Sequence, residues 1–165
     1  MQQIARAIEA LVEFIGYYSA YLILPLIGVV SFEVLMRYGF NAPTVWAFEL
    51  TVFIYGVHYM LALGYAHKHD GHVAIDVVEA RLPRVPRTLV RIAANILLFI
   101  PSIGLITIWS FIYFYTSWGF NERASSSWGP LIYPYKFAMA VGFLLFFLQG
   151  VAKLIKDIRS LRNPE

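Results

Sequence analysis

Apolar residues along the chain gather into four long runs, each bounded by a short polar or proline-containing stretch. The runs cover about Phe14 to Met36, Trp46 to Ala66, Ile92 to Tyr115 and Tyr133 to Val151. At a rise of about 1.5 Å per residue, roughly 20 helical residues cross about 30 Å of hydrocarbon, so each run predicts one transmembrane helix. The first run is longer than the apolar part of a secretion signal, its leader carries Glu9 and Glu13 against Arg6, and no small-residue cleavage site follows promptly. It reads as a retained anchor. The longest connection, His67 to Arg91, has a pattern of its own. At about 100° per residue, Asp76 and Glu79 fall on one side, with Ala74, Ile75, Val77, Val78 and Leu82 on the other and Arg81 snorkelling from the apolar arc. This predicts a short interfacial helix over about 73–82, entered through Asp70-Gly71 and ended by Pro83 and Pro86. The fold class is therefore an all-α integral membrane protein. It has four transmembrane helices in one membrane domain, 1–165, plus an amphipathic interfacial helix in the cytoplasmic loop between helices 2 and 3.

Composition narrows the function. The chain is 59% hydrophobic and 14% charged, where a soluble domain carries about 25% charge. A water-soluble catalytic domain has nowhere to sit, which sets aside most soluble enzymes. Without cysteine there is no disulfide framework, thiolate metal site or catalytic thiol. A net charge of +3, with its cations at the ends of apolar runs, argues against a nucleic-acid partner. Those cations instead set the topology. Four spans put the N-terminus, the middle loop and the C-terminus on one side, and of the 13 Lys and Arg residues all but Arg37, Arg123 and Lys136 fall there. Both termini are expected to be cytoplasmic. The opposite face is aromatic, with Trp46, Tyr113, Tyr115, Trp118, Trp128, Tyr133 and Tyr135 forming an outer belt at the headgroup level.

Ionisable side chains in or near the spans are few: Glu33, Glu49 and His58. Glu33 has Arg37 one helical turn on, which predicts an interfacial ion pair. Glu49 sits near the start of the second span behind Trp46, where a carboxylate either steadies the helix N-terminus or contacts another polypeptide. His58 lies deeper, and an interhelical hydrogen bond is favoured over a proton relay because no second titratable group is near it. His67, His69, His72 and Asp76 can be drawn as a metal site. Their spacing matches no known ligand pattern and cations flank the loop, so a polar turn opening the surface helix is preferred and no metal is assigned. Haem is not assigned either, since axial ligation needs two facing histidines and only His58 lies within a span. Gly56, Gly64, Ser102, Gly104, Ala138 and Gly142 permit close helix approach. Pro101 would release a backbone bond inside the third span, Pro134 falls harmlessly in the first turn of the fourth, and Gln149 is a polar contact candidate. A self-sufficient carrier needs broken helices and polar groups at midplane, often within inverted repeats, and neither half of the chain has them. A four-helix accessory subunit is the simpler reading, with no enzymatic activity.

In order along the chain stand Trp46-Ala47-Phe48-Glu49, Gly71-His72-Val73-Ala74-Ile75-Asp76, Leu82-Pro83, Asn121-Glu122-Arg123-Ala124-Ser125, Tyr133-Pro134-Tyr135-Lys136 and Leu148-Gln149-Gly150. On four helices of about this length, these elements resemble the DctQ-type small membrane subunit of tripartite ATP-independent periplasmic (TRAP) transporters. The Glu122-x-x-Ser125 and Tyr133-Pro134-x-Lys136 elements are more similar to the branch associated with keto acids, mannitol and chloroaromatic compounds than to the sialic-acid or dicarboxylate branch. The resemblance implies a bacterial or archaeal inner-membrane complex. In it a periplasmic solute-binding protein captures an organic acid and a large permease subunit carries it inward, coupled to sodium. The small subunit would brace the large one, with membrane lipid around it and no cofactor. Position by position, Trp46 and Glu49 would be partner contacts, His72 and Asp76 would hold the loop and surface helix, and Glu122, Ser125 and Lys136 would lie on the periplasmic side. With His58 and Gln149, these residues other than Ser125 make up the partner-interface candidates. The chain departs from the common pattern in carrying His67-Lys68-His69-Asp70 where an Arg often precedes the Gly-His pair.

Two other readings stay open at this point. One is a four-helix membrane anchor of a respiratory oxidoreductase, associated with haem or quinone. The other is a small homo-oligomeric channel, which no ring-forming polar stripe supports.

Overall fold

The structure, a computed structural model, describes residues 2–69 and 83–162, with the side chains of Gln2, Arg84 and Arg162 left out. The interfacial helix expected over about 73–82, and with it His72 and Asp76, lies outside the described residues. The described chain forms four long helices, each long and apolar enough to cross a membrane. Helix α1 comprises Gln2–Ser19, a tight 3-10 turn at Ala20–Leu22, Ile23–Val34 and a wide π-type turn at Leu35–Gly39. Helix α2 is Ala47–Lys68. Helix α3 comprises Arg84–Ala94, a π-type turn at Asn95–Phe99 and Ile100–Gly119. Helix α4 is Tyr133–Arg162. Among the described residues the only extended pairing is an isolated antiparallel bridge between Arg123 and Leu131.

Two of the irregular turns stand where prolines require them. A proline gives no N–H to the carbonyl four residues back, and its ring crowds that oxygen. For Pro25 that residue is Tyr21, inside the 3-10 turn, and for Pro101 it is Leu97, inside the π-type turn. The local change of pitch lets the helix continue past each proline. At the end of α1 the chain reverses through Asn41, which adopts a left-handed φ of 51°, a conformation that Asn tolerates better than most residues.

Helix α4 is the hub. It packs most extensively on α2, then on α3, and also on α1. Helix α1 lies along α2 as well, whereas α3 meets the bundle mainly through α4. The α2–α4 contact is a backbone approach: a Cβ placed on Gly142 would stand 2.5 Å from the Met60 carbonyl oxygen. Only glycine permits that approach, and in hydrocarbon such close van der Waals contact replaces the hydrophobic drive available in water. Facing positions on α2, from Phe53 through Gly56, Met60 and Gly64 to His67, recur at three and four residues and so form one stripe toward α4.

Candidate partner interface and its polar anchors

Polar anchors occupy both ends of the bundle. At the end that holds the α1–α2 and α3–α4 connections, Glu33 clasps the first of them. Its Oε1 accepts from Arg37 Nη2 at 2.6 Å and Nε at 3.1 Å, while its Oε2 accepts from the Thr44 hydroxyl at 2.6 Å and the Thr44 N–H at 3.2 Å. Thr44 Oγ1 in turn accepts from the Ala47 N–H at 3.4 Å, at the first residue of α2. The expected Glu33–Arg37 pair is present, and Thr44 makes it a tie across the connection as well as along the helix. Trp46 stacks on Phe32, with ring centroids 5.8 Å apart, and closes the same corner.

The α3–α4 connection has a second clasp. Glu122 and Lys136 come together through a 2.5 Å contact between Oε2 and Nζ, and the ammonium also lies 3.6 Å from the centroid of the Tyr113 ring. Lys136 is buried and Glu122 about half exposed. The ammonium holds the Glu122 carboxyl below the usual carboxylate range. The loop is braced further by backbone bonds from Ala124 N–H to the Pro130 carbonyl and from Ile132 N–H to the Glu122 carbonyl. Gly129, at φ 61°, makes the reversal that brings Arg123 Nη1 within 3.0 Å of its own carbonyl.

The opposite end is tied by pairs that sequence reading passed over. Glu13 Oε2 accepts from Lys68 Nζ at 2.5 Å and from His69 Nε2 at 3.1 Å, and Glu9 pairs with Lys156 of α4. The signal was present, since Glu9 and Glu13 stand one helical turn apart on the side where cations prevail. His67 and His69, drawn together above as part of a metal site, face different neighbours. His67 stacks on Phe99 at 4.9 Å and meets the edge of Phe146, while His69 turns to Glu13.

About midway along α2, the His58 Nδ1–H donates to the Ser19 carbonyl of α1 at 2.8 Å. The oxygen is accessible because Ser19 immediately precedes the tight turn, where the regular helical ladder is interrupted. At the same level the bundle turns tyrosines outward. Tyr17, Tyr18 and Tyr21 on α1, and Tyr55 and Tyr59 on α2, are each more than half exposed. The Tyr17 and Tyr21 hydroxyls are bonded to each other at 3.3 Å.

Two further candidates hold polar atoms that want company. Glu49 sits in the first turn of α2, and its Oε2 is buried with no hydrogen-bond partner among the described residues. Gln149 lies inside the bundle, 2% exposed, and its Oε1 is in the same condition. Of the sequence candidates, then, Glu122 and Lys136 are joined to each other, His58 and Gln149 face the bundle interior, and Trp46 and Glu49 share the N-terminal end of α2.

The model of the family described as "Tripartite ATP-independent periplasmic transporters, DctQ component" matches residues 26–160. No curated protein matches the chain.

Proposed function

The chain belongs to the DctQ family of TRAP transporter components, and from that premise we propose that it is the small, non-catalytic subunit that braces a large permease subunit in sodium-coupled uptake of an organic acid. A periplasmic solute-binding protein delivers that acid. The complex sits in the cytoplasmic or inner membrane of a bacterium or archaeon, with both termini of this chain in the cytoplasm.

The observation that carries the bracing role is the closed middle of the bundle. Helices α2 and α4 touch backbone to backbone at Gly142, and His58 is tied to a backbone carbonyl. A carrier must solvate its cargo at that depth, which takes broken helices and free polar groups. Clasps at both ends hold the four helices as a static bracket instead. The outward tyrosines support a covered surface, because a phenol hydroxyl in acyl chains lacks partners that another protein surface supplies. Trp46 and Glu49 are the contacts we assign to the large subunit. His58, Lys136 and Gln149 hold the bracket together, and His72 and Asp76 belong to the loop that lies on the cytoplasmic interface.

Reconstitution tests this directly. Purified chain and large subunit, placed in liposomes with the binding protein and a sodium gradient, are expected to take up solute only when both membrane subunits are present. Uptake by this chain alone would overturn the bracing role.

A further inference from the structure

Helix α2 has three sides. His58 and Tyr65 turn to α1, where they meet Ser19 and Gly16, and Gly56 and Met60 turn to α4, where they meet Tyr135 and Gly142. Phe48, Val52, Tyr55 and Tyr59 recur at four, three and four residues on the third side, and each is exposed. Helix α1 likewise packs through Val12, Gly16 and Ser19 and turns Phe14, Tyr17 and Tyr21 outward. These outward faces are ones that the bundle itself leaves uncovered.

Depth makes the tyrosines costly there. The His58–Ser19 bond fixes α1 and α2 at one level, and Tyr17, Tyr18, Tyr21, Tyr55 and Tyr59 all lie within three residues of one of its ends, or about 5 Å along the helix. Tyr55 is eight residues from the start of α2 and Tyr59 nine from its end, about 12 and 14 Å in a helix of 22 residues. In a hydrocarbon layer of about 30 Å their hydroxyls stay out of reach of the headgroups. Tyr17 and Tyr21 share one hydrogen bond, and the hydroxyls of Tyr55 and Tyr59 have no hydrogen-bond partner among the described residues. The outward face of α3 makes no such demand, since Leu105 and Ile108 are comparably exposed and carry no polar side-chain atom.

Resting on the bracing role, we propose that the α1–α2 face is the seat of the large permease subunit. Its occupant is a transmembrane helix that presents neutral hydrogen-bond acceptors at mid-membrane depth, and the outward face of α3 is left to lipid. Acyl chains offer a phenol no acceptor, whereas Ser, Thr, Asn or Gln side chains, or the carbonyls of an interrupted helix, take its proton. A carboxylate there carries the cost of a charge in hydrocarbon. The α2 stripe begins at Phe48, beside Trp46 and Glu49, so the seat is continuous with the contacts assigned to the large subunit.

Photo-crosslinking of the co-expressed complex in native membranes tests the seat. A benzophenone amino acid at Tyr21, Tyr55 or Tyr59 is expected to join the chain to the large subunit, and the same probe at Leu105 or Ile108 is expected not to. Affinity of the two purified subunits in detergent gives a second readout. Tyr55→Phe with Tyr59→Phe keeps both rings, removes both hydroxyls and should weaken binding about eightfold, a little under threefold for each interhelical bond. Crosslinks to the large subunit from α3 instead, crosslinks from the tyrosine positions to a second copy of this chain, or an affinity within about twofold of wild type would overturn the seat and leave the bracing role standing. Failure of the wild-type subunits to co-purify would overturn both.

Discussion

Helices α3 and α4 are equally apolar and differently placed. Their most apolar 18-residue stretches have mean hydropathies of 2.1 and 2.0, yet none of the first is buried and 33% of the second is. In water an apolar stretch would be driven inward. In hydrocarbon, leucine against lipid is as comfortable as leucine against leucine, so burial goes to the helix with the better surface for close contact. Helix α4 carries Ala140, Gly142, Leu145, Gln149 and Ala152 on its packed faces, and its neighbours approach to backbone distance. Helix α3 buries only small hydroxyl residues, Thr107, Ser110 and Ser117, and turns Leu105, Ile108, Trp109 and Tyr115 outward. Thr107 Oγ1 donates to its own turn at Ile103, and the Phe143 carbonyl of α4 lies 3.3 Å from it. The hub is thus made by small residues, and the outrigger is held by a few hydroxyls.

The contrast can be broken most directly at Gly142. Gly142→Leu puts side-chain atoms into the Met60 carbonyl, where backbone cannot yield, and should cost about 3 kcal/mol or more. Leu105→Phe on the outward face of α3 should stay within about 0.5 kcal/mol. Thermal unfolding of the detergent-purified chain compares the two; similar midpoints would mean that the hub is no more tightly packed than the outrigger.

The clasp between α3 and α4 is sharpened by pH. The Glu122 carboxyl is held low by Lys136, so its contribution to stability is present above the ordinary carboxylate range and is lost as pH falls through the lowered value of the folded state. Wild type should therefore exceed Glu122→Gln in unfolding midpoint near neutral pH, and the two should converge in acid once the pH has fallen below the lowered value. A gap that persists in acid would assign the difference to something other than this ion pair. On the α1–α2 side, His58→Phe removes one interhelical hydrogen bond and should cost about 0.6 kcal/mol, seen as a small fall in the same midpoint. Smallest of all for the isolated chain is Glu49→Leu, whose unpaired oxygen has nothing to lose within the bundle. Its effect should appear only as a lower yield of complex when the large subunit is co-expressed, and equal yields would remove Glu49 from the interface.

Much of this was legible from residue order. Hydropathy runs located four helices, Pro101 marked the interruption in α3, and the spacing of Glu33 and Arg37 announced their pair. The family was legible too, because its short motifs follow one another in a set order. Pro25 marks a second interruption by the same rule, in an apolar run that otherwise hides it. The ties at the end opposite the clasps were harder to see. Glu13 and Lys68 are far apart in sequence, and only the antiparallel course of α1 and α2 brings them together. For Lys136 the sequence offered only a side of the membrane and no partner; the reversal at Gly129 folds the loop back so that the ammonium is buried against Glu122 and Tyr113.

Sequence alone determined which segments can live in hydrocarbon, since every helix there must satisfy its own backbone and length and apolarity are local properties. It also determined the family. Tertiary structure decided which helix is the hub, which polar groups are satisfied inside the subunit, and which are left wanting a partner. Those outcomes rest on contacts between residues distant in the chain, and in a medium indifferent to apolar surface only shape and hydrogen bonding distinguish one packing from another.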